Sequence, residues 1–262
     1  MPHLTSAIDD GIATIVLNNP PQNRLDRQLA DELATAVAGI TDSDARVVLL
    51  RADGPDFSFG GDIVDWPDLN TAQLRALFER YMSVFNAFER LPMPVIAAVQ
   101  GLCLGGGFEL ALRADVIFAG ESAHFGHPEQ TLGIVTVLGG IYRVAERAGR
   151  ARASEWALTS ERVPARTMAE TGVVNRVVPD DTLLKEATAF AQKLAKGPTR
   201  AYAAHKALLR SWAIGGISAA DEAMFDIAMP LFSTDDAEAG LASAVAAHKA
   251  GKPRPTLHFK GR

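Results

Sequence analysis

At 262 residues, with 48% apolar and 22% charged side chains, the chain has the makeup of one large or two small folded domains rather than a disordered segment. A net charge of −5 argues against general nucleic-acid binding, and the single cysteine, Cys103, excludes an internal disulfide and a cysteine-rich zinc site. No stretch approaches the roughly 18 apolar residues of a membrane span, and Met1-Pro2-His3-Leu4 lacks a signal peptide's basic and apolar regions, so a cytoplasmic location is expected.

Residues 4–18 read as two strands joined at Asp9-Asp10-Gly11, the second being Ile12–Leu17. After a loop marked by Pro20 and Pro21, Leu29, Leu33, Val37 and Ile40 recur at helical spacing and predict a helix over Asp26–Ile40. The apolar run Val47–Leu50 fits a strand covered on both faces. Residues 71–90 predict an amphipathic helix with Leu74, Leu77, Phe78, Met82, Phe85 and Phe88 on one stripe. Next come a strand at 95–99, a glycine-rich turn and a helix at 107–113. Strands follow at 116–119 and 123–125, then helices at about 139–148 and 152–159 and a last strand at 173–178. Beyond Asp181 the chain reads as helical to about Lys249, broken at Gly197-Pro198, Gly215-Gly216 and Pro230. The expectation is an α/β core of repeated strand–strand–helix units over 1–180 and a helical region over 181–262.

Two glycine-bearing segments follow strands: Phe59-Gly60-Gly61-Asp62-Ile63 and Leu104-Gly105-Gly106-Gly107. If the strands neighbour each other in one sheet, both turns emerge at the same end, and one backbone N–H from each could converge on a single oxygen as an oxyanion hole. Glycine there equally serves tight strand–helix packing. Glu109 and the Glu129 of His127-Pro128-Glu129 each fall in what reads as a first helical turn. Acids are favoured there for the helix dipole alone, and Pro128 fits an ordinary helix start. As a pair flanking a water they would serve as general acid and base.

Four segments in this order resemble the crotonase (enoyl-CoA hydratase/isomerase) superfamily over essentially the whole chain: Val47–Ile63, Pro94–Asp115 (PVIAAVQGLCLGGGFELALRAD), Ala123–Gly140, and the tail Asp235–Arg262 with Phe259-Lys260. The resemblance implies a spiral of ββα units, a C-terminal helical trimerisation region, and a homotrimer or dimer of trimers. It implies an acyl-CoA thioester as partner, with coenzyme A entering as part of the substrate and no tightly bound cofactor, metal, nucleic acid or membrane. Gly61 and Gly106 match the two oxyanion-hole positions, and Glu109 and Glu129 the two acid/base glutamates of hydratases, Glu129 being the α-proton acid. The loop Gln22-Asn23-Arg24-Leu25 and the turn Gly61-Asp62-Ile63 are expected to border the CoA, with Arg24, Lys252 and Lys260 candidates for its phosphates.

The implied activity is hydration of an enoyl-CoA or the reverse dehydration. The alternatives are another crotonase-type reaction, such as isomerisation or acyl-CoA hydrolysis, and a non-catalytic acyl-CoA binder. Thr136-Val137 stands where many hydratases carry Pro-Gly and places a stiff β-branched side chain near the expected water. Asp65 and Trp66 are expected to shape the acyl pocket. His124 and His127 are expected to be packed or partly exposed, Cys103 to be a core residue, and Met224, Phe225, Met229 and Phe232 to serve helix or trimer packing.

Overall fold

The computed structural model describes residues 1–261; Arg262, the end of the expected helical region and tail, lies outside the described residues. Contacts divide the chain into two units. The first comprises Met1–Leu91 and Val95–Ala191; the second comprises Pro92–Pro94 and the chain from Gln192 onward.

In the first unit the elements are β1 (Leu4–Asp9), β2 (Ile12–Leu17), α1 (Arg27–Thr41), β3 (Val47–Ala52), α2 (Thr71–Glu89), β4 (Val95–Val99), β5 (Leu102–Leu104) and α3 (Gly106–Ala111). They continue as β6 (Val116–Gly120), β7 (His124–Gly126), a 3-10 turn (Pro128–Leu132), α4 (Gly140–Ala148), α5 (Arg150–Thr159), β8 (Val163–Pro164), α6 (Ala165–Glu170) and β9 (Arg176–Val178). The first turns of α7 (Leu183–Ala195) close the unit. Asp10 and Gly11 both adopt positive φ, which twists a two-residue hairpin turn to match β1 and β2. Asp26 caps α1 by accepting from the Leu29 N–H at 2.8 Å. Asn70 and Gln73 close a reciprocal capping box on α2.

Six strands form one sheet in the order β1-β2-β3-β4-β6-β9, antiparallel only between β1 and β2. Strand β4 is buried throughout, as are Val47 to Leu50 of β3, which explains their unbroken apolar sequence. A second sheet, β5-β7-β8, takes the short strand that follows β4 and the one that follows β6. After β3, Ser58 bridges to Cys103 of β5 in the same sense. Each passage through the large sheet is thus followed by an extended stretch in the small sheet and then by a helix. This is the ββα repeat expected from the sequence.

Three local expectations are corrected. The stripe of α2 that turns inward is Leu77, Tyr81, Val84, Phe85 and Phe88, rotated away from Leu74. Val173 and Val174 are not in the last strand; their N–H groups bond to Met168 O and close α6, which leaves only Arg176–Val178 paired. Glu129 falls in a first turn after Pro128, but of a five-residue 3-10 helix and not an α-helix.

The second unit is helical after the end of α7: α8 (Thr199–Ala228), a 3-10 turn (Met229–Ser233) and α9 (Asp235–Ala250). Gly215 and Gly216 leave helical geometry within α8, as the paired glycines predict. Thr234 caps α9, whose first turn carries Asp235, Asp236 and Glu238 and whose last carries His248 and Lys249. Asp236 is buried and accepts from the Lys260 and Gly261 N–H groups at 2.6 and 2.8 Å, which fastens the tail. Phe225 and Phe232 are 71% and 62% exposed, so most of each ring is left uncovered by this chain. Among the described residues no helix is long and apolar enough to cross a membrane.

Candidate active site

The two glycine turns meet through the small sheet. The Ser58 N–H donates to Leu102 O and the Leu104 N–H to Ser58 O, which locks the first turn alongside β5. Leu25 straddles Gly61: its N–H donates to Gly60 O at 2.8 Å, and its carbonyl accepts from the Asp62 N–H at 3.0 Å. On the other turn the Gly105 N–H donates to Gly126 O of β7 at 2.9 Å. Among the described residues this leaves the Gly61 and Gly106 N–H groups with no protein acceptor.

Glycine is required at the two positions that set this geometry. Gly105 has φ +50°, and a Cβ there would lie 3.0 Å from Glu129 Oε1. Gly60 has φ +91°, and its Cβ would meet Leu104 O at 2.9 Å and Gly106 N at 3.0 Å. The close approach of the two turns is therefore a backbone-to-backbone packing that no side chain could enter.

A cavity of about 250 Å³ opens on these amides. Its lining brings together Gly61, Gly106, Glu109 and Glu129, along with Arg24, Leu25 and Ile63. Trp66 and Phe78, stacked edge to face at 5.1 Å, form an apolar wall with Leu132, Ile134, Val135 and Val137. Val137 thus stands in the cavity itself, while Asp65 is exposed outside its lining. The Arg24 guanidinium bonds to Gly61 O and Gln22 Oε1. Asp62 turns back on its own loop, accepting from the Val64 N–H at 3.3 Å. Lys260 belongs to the C-terminal unit described above.

Glu109 is 2% exposed on α3. Its Oε1 accepts from the Leu138 N–H at 2.8 Å and the Gly140 N–H at 2.9 Å. Burial pushes its pKa up to about 7, and the neighbouring Glu129 charge adds to the rise. The two N–H donors and Arg113 pull against it. Burial also raises the pKa of Glu129, whose Oε2 has no partner among the described residues. Two carboxyl groups with elevated proton affinity therefore face one cavity beside two free amides.

Behind Glu109 lies a charge cluster that the sequence did not reveal. Arg113 is fully buried, and its guanidinium donates to Asn86 Oδ1, Glu89 Oε2 and Leu138 O. Arg143 donates to the same Glu89 carboxylate and to Gly139 O. Burial opposes the Glu89 charge, but Arg143 and Arg113 outweigh it and hold the carboxyl below its usual range. Arg143 thus fastens the peptide whose Gly140 N–H holds Glu109, and Arg113 fastens the Leu138 carbonyl between the two donors. An arginine inside an apolar helix-to-strand passage reads as surface charge unless its partners, 24 and 27 residues earlier, are visible. Tyr81 was also missed; it lines the cavity and its hydroxyl donates to Leu25 O at 3.3 Å. Its spacing from Leu77 and Phe85, four residues either way, is the signal that could have found it.

His124 is half-buried and contacts Ser122 O, and Cys103 is a buried core residue. His127 is buried and approaches Glu129 Oε2 at 4.0 Å. Burial pulls its pKa down to about 4, so at neutral pH this is no ion pair.

The profile of the enoyl-CoA hydratase/isomerase family matches residues 7–248. The chain belongs to this family. A protein of Rhizobium meliloti named probable enoyl-CoA hydratase is 35% identical over 247 residues, covering 91% of this chain and 93% of the relative. The 2,3-dehydroadipyl-CoA hydratase of Escherichia coli is 32% identical over 259 residues, covering 96% of each chain. The crystal structure of an enoyl-CoA hydratase from Bacillus anthracis superimposes with a TM-score of 0.89 at 29% identity, covering 99% of this chain and 100% of that one. These likenesses make the chain a crotonase-family enzyme with the α/β architecture of solved crotonase folds.

Proposed function

We propose that this member of the crotonase family hydrates an enoyl-CoA thioester and, in reverse, dehydrates a 3-hydroxyacyl-CoA. The observation that carries this reading is the pair of unpartnered amides, at Gly61 and Gly106, opening on a cavity that also holds Glu109 and Glu129. The thioester oxygen accepts from both N–H groups. As water adds, charge builds on that oxygen, so these donors bind the transition state more tightly than the ground state.

Glu109 suits the base. Its Oε1 is already held by two amides that favour the anion, and a pKa near 7 allows it to take a proton from water at neutral pH. The water oxygen bonds to the β-carbon, the π electrons move onto the thioester oxygen as an enolate, and Glu129 gives its proton to the α-carbon. Proton exchange between the carboxyl groups through the new hydroxyl or solvent restores the starting state. Arg24, Leu25, Asp62 and Ile63 border the CoA moiety in this reading. The exposed apolar side chains Phe225 and Phe232 support assembly of copies into a trimer or a dimer of trimers.

The test is a turnover screen over enoyl-CoA and 3-hydroxyacyl-CoA esters of varied length and shape, following the ultraviolet absorbance of the conjugated enoyl thioester. Loss of that absorbance with water incorporated at the β-carbon is expected. A shifted double bond or free CoA as the sole product, with no hydration of any ester, would replace this reading with isomerisation or hydrolysis. Tight acyl-CoA binding without any conversion would leave a binder.

A further inference from the structure

His127 is the buried titratable group that the hydration scheme leaves without a task. Its side chain is 3% exposed, and among the described residues neither ring nitrogen has a hydrogen-bond partner. Leaving a buried donor unmet is costly, and native proteins rarely do so without a reason. The atom facing Nδ1 is itself unmet: Glu129 Oε2, 4.0 Å away. Two orphaned polar atoms of opposite capacity therefore point at each other across a gap about one ångström too wide.

The ring cannot be the partner that moves. It stacks on Phe108 with centroids 4.9 Å apart, and its other edge lies so near Gly140 that a Cβ there would fall 2.3 Å from Cε1. Its own carbonyl is held by the Ser160 hydroxyl at 3.0 Å. Glu129, in contrast, sits in a short 3-10 turn leading into the exposed residues Leu132, Ile134 and Val135. The titratable groups facing the ring are Glu129 and, across Gly140, Glu109; Phe108 and Ser160 bring no charge. Nε2 faces the Gly140 backbone, where an unfilled acceptor lone pair is better tolerated than an unfilled N–H, so the proton belongs on Nδ1.

We propose that His127 is a positioning residue for Glu129: when an acyl-CoA fills the cavity, the Nδ1–H donates to Glu129 Oε2 and fixes the carboxyl group with Oε1 toward the Gly105 turn. This rests on the hydratase reading of the same site. A neutral donor on Oε2 stabilises the Glu129 anion left after proton transfer and selects the oxygen that carries the proton. Buried between Phe108 and Gly140, the imidazole stays uncharged, so it orients Glu129 without competing for its proton.

The experiment combines ¹⁵N-histidine spectra with a ¹³C-carboxyl titration of Glu129 in wild type, His127→Gln and His127→Leu, each with and without saturated butyryl-CoA. Kinetics on whichever enoyl-CoA the wild type turns over complete the set. In wild type the Nδ1–H signal should shift downfield when butyryl-CoA binds. The leucine variant should raise the Glu129 midpoint by about one pH unit and lower kcat roughly tenfold at unchanged KM; the glutamine variant, which retains an N–H donor, should recover both. Equal midpoints in all three proteins with butyryl-CoA bound, or equal losses in both variants, would overturn the proposal. If the leucine variant does not fold, an Nδ1–H signal unmoved by butyryl-CoA overturns it alone. A wild type that hydrates no enoyl-CoA defeats the hydratase reading, while the spectra still decide the role of His127.

Discussion

A methyl group placed on Gly106 would stand 3.6 Å from the amide nitrogen of Gly61. The two residues are 45 positions apart in sequence, yet that methyl would lie against the Gly61 amide at the cavity both residues line. Position 106 has no positive φ, and the other close neighbour of that methyl is Leu25 Cδ1, the end of a flexible side chain. Gly106→Ala should therefore fold normally and keep both N–H groups, while the methyl obstructs the oxygen's approach and kcat falls by about 10²–10³, as large as the loss of an oxyanion donor. Near wild-type turnover in a folded Gly106→Ala protein would remove the oxyanion hole from the mechanism.

Glu109→Gln and Glu129→Gln separate chemistry from binding. Each should lower kcat by about 10²–10⁴ while calorimetry shows acyl-CoA affinity within a few-fold of wild type. In Glu109→Gln the amide oxygen of the new side chain can still accept from the Leu138 and Gly140 N–H groups, so the loop has no reason to collapse. Retained turnover in either variant would show that its carboxyl group transfers no proton.

The acid limb of kcat/KM should titrate near pH 7, because the base must be ionised and burial has raised Glu109 to that value. Arg113→Met removes a positive charge and an anchor of the Leu138 carbonyl. It should shift the limb to higher pH and lower stability, since Glu89 loses one of its two arginines. A limb at the same pH in this variant would mean that the arginine cluster does not tune Glu109.

Stability should respond to pH in two opposed windows. Between about 4.5 and 7 the folded protein keeps a proton on Glu109 that the unfolded chain has released, so stability falls as pH rises. Between 6.5 and about 4 the unfolded chain protonates His127 while the folded protein does not, so stability falls as pH drops. Glu109→Gln abolishes the first effect, and its melting temperature should gain on wild type at pH 8 relative to pH 5. A gain larger at pH 5 would contradict the burial of an ionised Glu109.

The exposed face of the C-terminal unit predicts association. Phe225→Asp, at a side chain 71% exposed, should leave the fold intact by circular dichroism but lower the mass seen by light scattering. An unchanged mass would place the subunit contacts elsewhere.

Much of this was legible because backbone constraints write themselves into sequence. Asp10-Gly11 and Gly215-Gly216 mark turns and breaks that few other residues could form, and Val95–Val99 is apolar because both faces of its strand are covered. Glu109 was visible beside a glycine turn and Glu129 after the proline of a helix start, but a 20-residue separation cannot say that they share a cavity. Strand β5 was hidden because three residues pairing with β7 carry no period of their own. Arg113 was hidden because burial of a guanidinium depends on Glu89, Asn86 and a carbonyl supplied by distant segments. Tyr81 was hidden within a helix whose inward face is a rotation of its most apolar stripe.

The two amides hang from a lattice of main-chain bonds: Ser58 to β5, Gly105 to Gly126, Leu25 to both sides of Gly61. The cavity's apolar wall instead comes from side chains, several of them on the exposed stretch from Leu132 to Val135. On the proposed hydratase reading, the oxyanion donors and the acyl-pocket wall are therefore carried by separable parts of the chain. Substituting the side chains of Leu132, Ile134 and Val135 should change the acyl group accepted while the two amides stay where the sheets have fixed them.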